Sequence, residues 1–138
     1  MFFKKKEIKA EKNNQINICA LLIHAAKIDE NFTIKEENII KKTLEELGSK
    51  KEDIAKTIQE AKKIEENSNQ ILDFTKEVKN LSENDKTKII ETLWSIIYSN
   101  NEADIYETNL MRRLEGLLYI DNKTMGDIKE RVKIKYSK

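Results

Sequence analysis

The sequence predicts an all-α fold, a single compact bundle of about seven helices built on two similar helix–loop–helix repeats. Three observations lead there. Proline is absent and glycine occurs only three times in 138 residues, too few turn residues for a β-sandwich or a nucleotide-binding α/β fold. Apolar residues recur at three- and four-residue spacing from about residue 15 to the C-terminal region. Four helix starts carry an N-cap residue with an acid three positions later: Thr33 with Glu36, Ser49 with Glu52, Ser82 with Asp85, and Asp104 with Glu107.

The elements follow in order. Residues 1–14 are polar after Phe2 and Phe3 and read as a flexible basic segment, or a short helix. The first core helix has Ile16, Cys19, Ala20, Ile23 and Ala26 on one face and Leu21 and Leu22 beyond it, so it is expected at the centre. It ends near Ile28, and Asp29 to Phe32 connect it to a helix capped by Thr33, which carries Ile40, Leu44 and Leu47 and stops at Gly48. Ser49 is expected to cap a third helix with Ile54, Ile58 and Ala61, and a break at residues 67–69 leads to a fourth with Ile71, Phe74, Val78 and Leu81. Ser82 opens the fifth, whose second half (Ile89, Ile90, Leu93, Trp94, Ile96, Ile97) marks the other central element. Asp104 opens a sixth with Leu110, Met111, Leu114, Leu117 and Leu118, and Asn122 caps a seventh with Met125, Ile128 and Val132. Residues 15–134 thus form one helical domain, followed by a basic tail over 135–138.

Charge and chemistry narrow the function. Lys and Arg number 26 against 25 Asp and Glu, a net charge of +1 that gives no electrostatic reason to expect specific nucleic-acid binding. Charged residues make up 37%, against roughly 25% in an average domain, which suits helices with ion-laced outer faces. Cys19 is the sole cysteine, so neither an intrachain disulfide nor a cysteine-based zinc site can form, and a cytoplasmic location is expected. The longest apolar run, residues 18–23, is too short to span a bilayer, and no apolar stretch of signal-peptide type follows the basic Lys4–Lys6. No P-loop, G-x-S-x-G, H-E-x-x-H or Cys–His spacing is present, so no enzyme activity is expected. His24, the single histidine, sits on an apolar helix and reads as a packed, hydrogen-bonded side chain. Trp94, amid Ile and Leu, reads as core.

A shift of 71 residues superposes two segments, Leu22–Lys42 and Leu93–Arg113. Leu22 matches Leu93, Asp29 matches Asn100, Thr33 matches Asp104, Ile34 matches Ile105, Glu36 matches Glu107, and Lys41-Lys42 matches Arg112-Arg113. Each copy is a buried helix, a polar loop, a capped start and an amphipathic helix. One unit cannot cover its own apolar face, so two packed together make a natural core. Packed about a pseudo-two-fold axis, the oxygens of Asp29 and Glu36 could meet those of Asn100, Glu102, Asp104 and Glu107, a hard set suited to Ca²⁺ or Mg²⁺ rather than Zn²⁺. The loop is not an EF-hand: counting from Asp29, Ile34 stands where the turn glycine belongs and Ile40 where the bidentate glutamate belongs.

The segments Leu22-Ile23-His24-Ala25-Ala26-Lys27-Ile28-Asp29 and Leu93-Trp94-Ser95-Ile96-Ile97-Tyr98-Ser99-Asn100 resemble the two motif arms of the TerB-like, tellurite-resistance-associated family. In that pattern an apolar helix runs into Ala-Asp-Gly, and a Glu follows seven residues after the Asp. Asp29 with Glu36, and Asn100 with Glu107, keep this spacing. Tyr106-Glu107, Leu110 and Arg112-Arg113 are also close to family usage, and the likeness covers roughly residues 15–134. The resemblance implies an all-helical fold, an acidic site for a divalent metal, and links to stress response and the inner membrane surface, without catalysis. The chain departs from the pattern at Glu30 and Asn101, which stand at the two glycine positions, at Asn100, which replaces the second Asp, and at His24, where many relatives carry Glu.

Two readings follow. In one, a non-enzymatic module binds a divalent cation through its acidic loop and uses its faces to bind protein partners, with no organic cofactor. In the other it is a metal-free helical scaffold or dimerisation module, a weak homodimer for example. A metal-dependent hydrolase ranks below both. Contact with a membrane surface would be peripheral at most, through Phe2, Phe3 and Lys4–Lys6. Glu36, Glu107 and Asp104 have a capping role to fill in either case, and Asn100 suits a helix end. Asp29 is the acid that capping does not account for, since Thr33 already serves as N-cap.

Overall fold

The computed structural model describes residues 2–29, 32–67, 71–99 and 105–136, with side chains from Asn14 onward except those of Asp29 and Glu77. Among these residues all regular structure is helical: α1 (Phe2–Ala26), a 3₁₀ turn (Lys27–Asp29), α2 (Ile34–Glu46), α3 (Lys51–Asn67), α4 (Leu72–Val78), α5 (Glu83–Tyr98), α6 (Ile105–Leu117) and α7 (Asn122–Tyr136).

Two helices form the centre, and both are apolar around most of their circumference. In α1, residues 18–23 together with Ala25 and Ala26 are all buried; in α5, Ile89, Ile90, Leu93, Trp94, Ile96 and Ile97 are. The other helices bury one stripe each and pack around this pair. Helix α1 packs against α2, α3, α4 and α5; α5 takes α2 and α7; α6 lies on α4. The buried residues form one continuous core. Trp94 lies in it as expected, 2% exposed and stacked on Tyr98 with ring centroids 5.8 Å apart. Its indole N–H has no hydrogen-bond partner among the described residues.

Helix ends show where local chemistry decides. At α2, Thr33 Oγ1 accepts from Glu36 N–H (3.2 Å), while Glu36 Oε1 accepts from Thr33 N–H (2.9 Å), a complete capping box. At α5, Ser82 Oγ accepts from Asp85 N–H (3.2 Å). Helix α2 ends in a Schellman motif on Gly48 (φ 103°): Ser49 N–H donates to Leu44 O (2.9 Å) and Gly48 N–H to Glu45 O (3.0 Å). Helix α6 ends the same way on Tyr119 (φ 55°), with Ile120 N–H on Glu115 O (3.0 Å) and Tyr119 N–H on Gly116 O (3.3 Å).

Several boundaries differ from the sequence expectation. Helix α1 takes in nearly all of the 1–14 segment: the Lys, Glu and Ala there favour helix, but no apolar stripe announces it. Ser49 is not the cap of α3, because the helix begins at Lys51 with the Lys50 carbonyl accepting from Asp53 N–H (2.9 Å), while the Ser49 hydroxyl turns to α1 and donates to Gln15 Oε1 (2.9 Å). Asn122 is the first residue of α7 and not its cap; the carbonyl of Asp121 accepts the first helical bond, from Met125 N–H at 2.9 Å. Helix α7 also runs on into the basic tail, to Tyr136.

The 71-residue shift reappears in the element boundaries. Helix α6 starts and stops 71 residues after α2, α7 starts 71 residues after α3, and Gly48 and Tyr119, the two left-handed residues among those described, are 71 apart. The pairing of α1 with α3 is repeated by α5 with α7.

Candidate functional site

The loop arms singled out by the sequence begin where α1 tightens into the 3₁₀ turn that carries Asp29. Thr33 and Glu36 then start α2. At the second residue of α2, Lys35 Nζ donates to the carbonyl of Ser99 at 3.2 Å, so the start of α2 is tied to the end of α5. Ser99 is the C-cap of α5, and its hydroxyl closes back onto Ile96 O at 2.7 Å. The start of α2, which follows the first loop, therefore lies beside the end of α5, which precedes the second.

The six expected ligand residues fare differently. Glu36 is buried, and its Oε1 accepts from both the N–H and the hydroxyl of Thr33 (2.9 and 3.1 Å), so this oxygen serves the helix start. Glu107 is also buried, at the third position of α6, the place that Glu36 holds in α2. The backbone of Asp29 lies in the 3₁₀ turn, while its side chain lies outside the described residues, as do Asn100, Glu102 and Asp104. Among the described residues, no three or more His, Cys, Asp and Glu side chains are grouped to hold a metal ion. Of the two expected ligand side chains that are described, Glu36 has one oxygen committed to helix capping.

A polar cluster that sequence reasoning missed lies between α1 and α3. The Glu65 carboxylate, 8% exposed, has one oxygen 3.3 Å from His24 Nδ1 and accepts from Lys27 Nζ at 2.8 Å with the other. Phe74 flanks the imidazole, with ring centroids 6.3 Å apart. The expectation that His24 is packed and hydrogen-bonded holds, and its partner has a sequence signal. Glu65 continues the buried stripe of Ile54, Ile58 and Ala61, a charge at a core position that requires a partner. Lys86 is a second case: it is buried on α5, and its ammonium donates to Leu118 O (3.1 Å) at the end of α6.

Burial pushes the Cys19 thiol up to about 12, which keeps the one cysteine protonated at neutral pH. No described helix is long and apolar enough to cross a membrane.

No curated protein and no solved structure matches the chain. A family model does: that of "Tellurite resistance protein TerB" matches residues 15–130. This span contains both loop arms and all of the central pair from Gln15 on, and the chain therefore belongs to the TerB family, as a tellurite-resistance-associated all-helical domain.

Proposed function

We propose that the protein is a non-enzymatic, cytoplasmic binding module of the TerB family that works through the end of the bundle where its two loop arms meet. The observation that carries this reading is the Lys35–Ser99 bond at 3.2 Å, which holds the start of α2 against the end of α5. At this end a divalent cation, Ca²⁺ or Mg²⁺, is held weakly by Asp29 with oxygens of Asn100, Glu102 and Asp104, while Glu36 and Glu107 hold the two helix starts in shape. The cation acts as a clamp that stabilises the arms by mass action, and no chemical step is assigned to it. Protein partners dock beside it. Ile34 and Ile105, the first residues of α2 and α6, are 78% and 68% exposed, which supports an apolar contact there.

The second reading, a metal-free scaffold, is favoured by the commitment of Glu36 Oε1 to Thr33. An amide NMR titration of chelator-treated protein with Ca²⁺, Mg²⁺ and Zn²⁺ separates the two, with Asp29→Ala as control. The cation reading expects saturable shifts at residues 27–36 and 99–107, absent in the control and smallest with Zn²⁺. No response at millimolar cation overturns it and leaves the scaffold.

A further inference from the structure

Away from the loop end, helices α2, α5 and α7 leave a surface cavity of about 400 Å³ between them. Each helix sends a lysine to it: Lys42 from α2, Lys88 from α5 and Lys135 from α7. Two carboxylates also line it, and both are countered. Glu46 accepts from Lys88 Nζ at 2.5 Å, and Glu91 lies 3.6 Å from the guanidinium of Arg131. Lys42 and Lys135 form no ion pair among the described residues, so the cavity carries cationic charge in excess. All three lysines line the cavity together with Glu46, whose carboxyl is held below its ordinary value first by the hydrogen bond from Lys88 and then, against the opposing effect of burial, by the charges of Lys88, Lys42 and Lys135.

The hydroxyl groups of the wall have a direction. Thr92 donates to Lys88 O (2.9 Å), so the 2.7 Å contact between Thr43 and Thr92 has Thr43 as donor, and neither hydroxyl proton is left over. Ser95 and Tyr136 have no such partner among the described side chains, and both line the cavity. Their positions correspond, by the 71-residue shift, to those of His24 and Glu65. Between α1 and α3 that pair closes the gap with a side-chain contact of 3.3 Å; between α5 and α7 the gap is left open, with two hydroxyl donors facing it.

We propose that this cavity binds a phosphate monoester group, with Lys42 and Lys135 as the charged donors, Ser95 and Tyr136 as neutral donors, and Glu46 as a resident carboxylate competing for Lys88. The group is a dianion near neutral pH with three acceptor oxygens, matching a donor set of this kind. The volume exceeds what phosphate alone needs, which leaves room for an organic body. The group can come from a soluble metabolite-sized ester or from a lipid headgroup.

The test is an amide NMR titration of the full chain with inorganic phosphate and with glycerol 3-phosphate at fixed ionic strength, alongside cosedimentation with phosphatidic acid and phosphatidylcholine vesicles. Saturable shifts at Lys42, Ser95 and Lys135–Tyr136 are expected. Lys42→Ala with Lys135→Ala should weaken binding by about tenfold or more, whereas Lys63→Ala, on the exposed face of α3, should leave it unchanged. Glu46→Gln should tighten binding, because it removes the competing anion and frees Lys88. Binding of the soluble ester assigns the site to a metabolite; binding to phosphatidic acid vesicles without response to either soluble probe assigns it to a headgroup. Absence of all binding overturns the proposal, and so do linear shifts spread over all lysines, binding that survives the double variant, or a Glu46→Gln variant that binds less well.

Discussion

Gly48 and Tyr119 close their helices at equivalent Schellman positions, one with a residue suited to positive φ and one without. The left-handed conformation costs an L-residue roughly 1–2 kcal/mol, and glycine gives part of that back as chain entropy. The Tyr119 ring is exposed, with the Lys79 ammonium 5.9 Å from its centroid. Tyr119→Gly should therefore stabilise the fold by up to about 1 kcal/mol. Gly48→Ala should destabilise it by about 1 kcal/mol, although a Cβ there would meet nothing within 4 Å. Denaturant midpoints check both, and a Tyr119→Gly variant less stable than the parent would mean that the ring's contacts outweigh the backbone. Cys19 gives a pH signature. Its thiol titrates at about 12 in the fold, against 9.0 when unperturbed. Between those values the unfolded chain ionises and the native chain does not, so the group takes stability away as pH rises above 9.0. Comparing unfolding at pH 8 and pH 10, the loss should be smaller in Cys19→Ala than in the parent; an equal loss would place the alkaline sensitivity elsewhere.

At the scale of elements, the starts of α2 and α5 were legible because cap and acid lie within one turn, and no distant residue interferes. The start of α3 was not. Ser49 and Glu52 make the same local pattern, but α3 starts one residue later, at Lys51, and the Ser49 side chain is turned to a partner 34 residues back, Gln15. The N-terminal half of α1 was hidden for a different reason, since helix without an apolar stripe leaves no periodicity to read. Thr33→Ala removes one side of the capping box and should cost about 1 kcal/mol, with Thr33→Ser restoring most of it; an unchanged thermal midpoint in Thr33→Ala would show that α2 is held by packing alone. The tie between α2 and α5 should depend on acid. Glu46 has a lowered value through Lys88, so its contribution is present above its ordinary 4.5 and is lost as pH falls through the folded value. Both side chains are more than a third exposed, which limits the effect to below about 1 kcal/mol. Glu46→Gln should be slightly less stable than the parent at neutral pH and equal to it at pH 2; a gap that persists in acid would assign the loss to something other than the ion pair.

At the scale of the molecule, the two central helices could be read directly, because an apolar surface on every side of a helix can only be covered by surrounding it. The site was legible only in part. Glu36 was found by its spacing, and the capping that explains the spacing also occupies one of its oxygens. Glu65 and its partners His24 and Lys27 lie 38 to 41 residues apart in sequence, so only the charge within the stripe of α3 pointed to them. The repeat raises a question that the fold answers in a measurable way. If each half carried its own core, damage to one would leave the other standing. Instead α2 of the first half packs on α5 of the second, α6 of the second lies on α4, and one continuous core includes residues of both halves. Leu22 and Leu93 occupy equivalent positions on α1 and α5, both without exposed surface. Leu22→Ala and Leu93→Ala should each cost about 2–5 kcal/mol, and each should lower hydrogen-exchange protection in α3 and α7 by the same amount, through a single cooperative transition. A Leu93→Ala variant that loses protection in α7 while α3 keeps its own would show two folding units, and the two halves would then be neighbours in contact with no shared core between them.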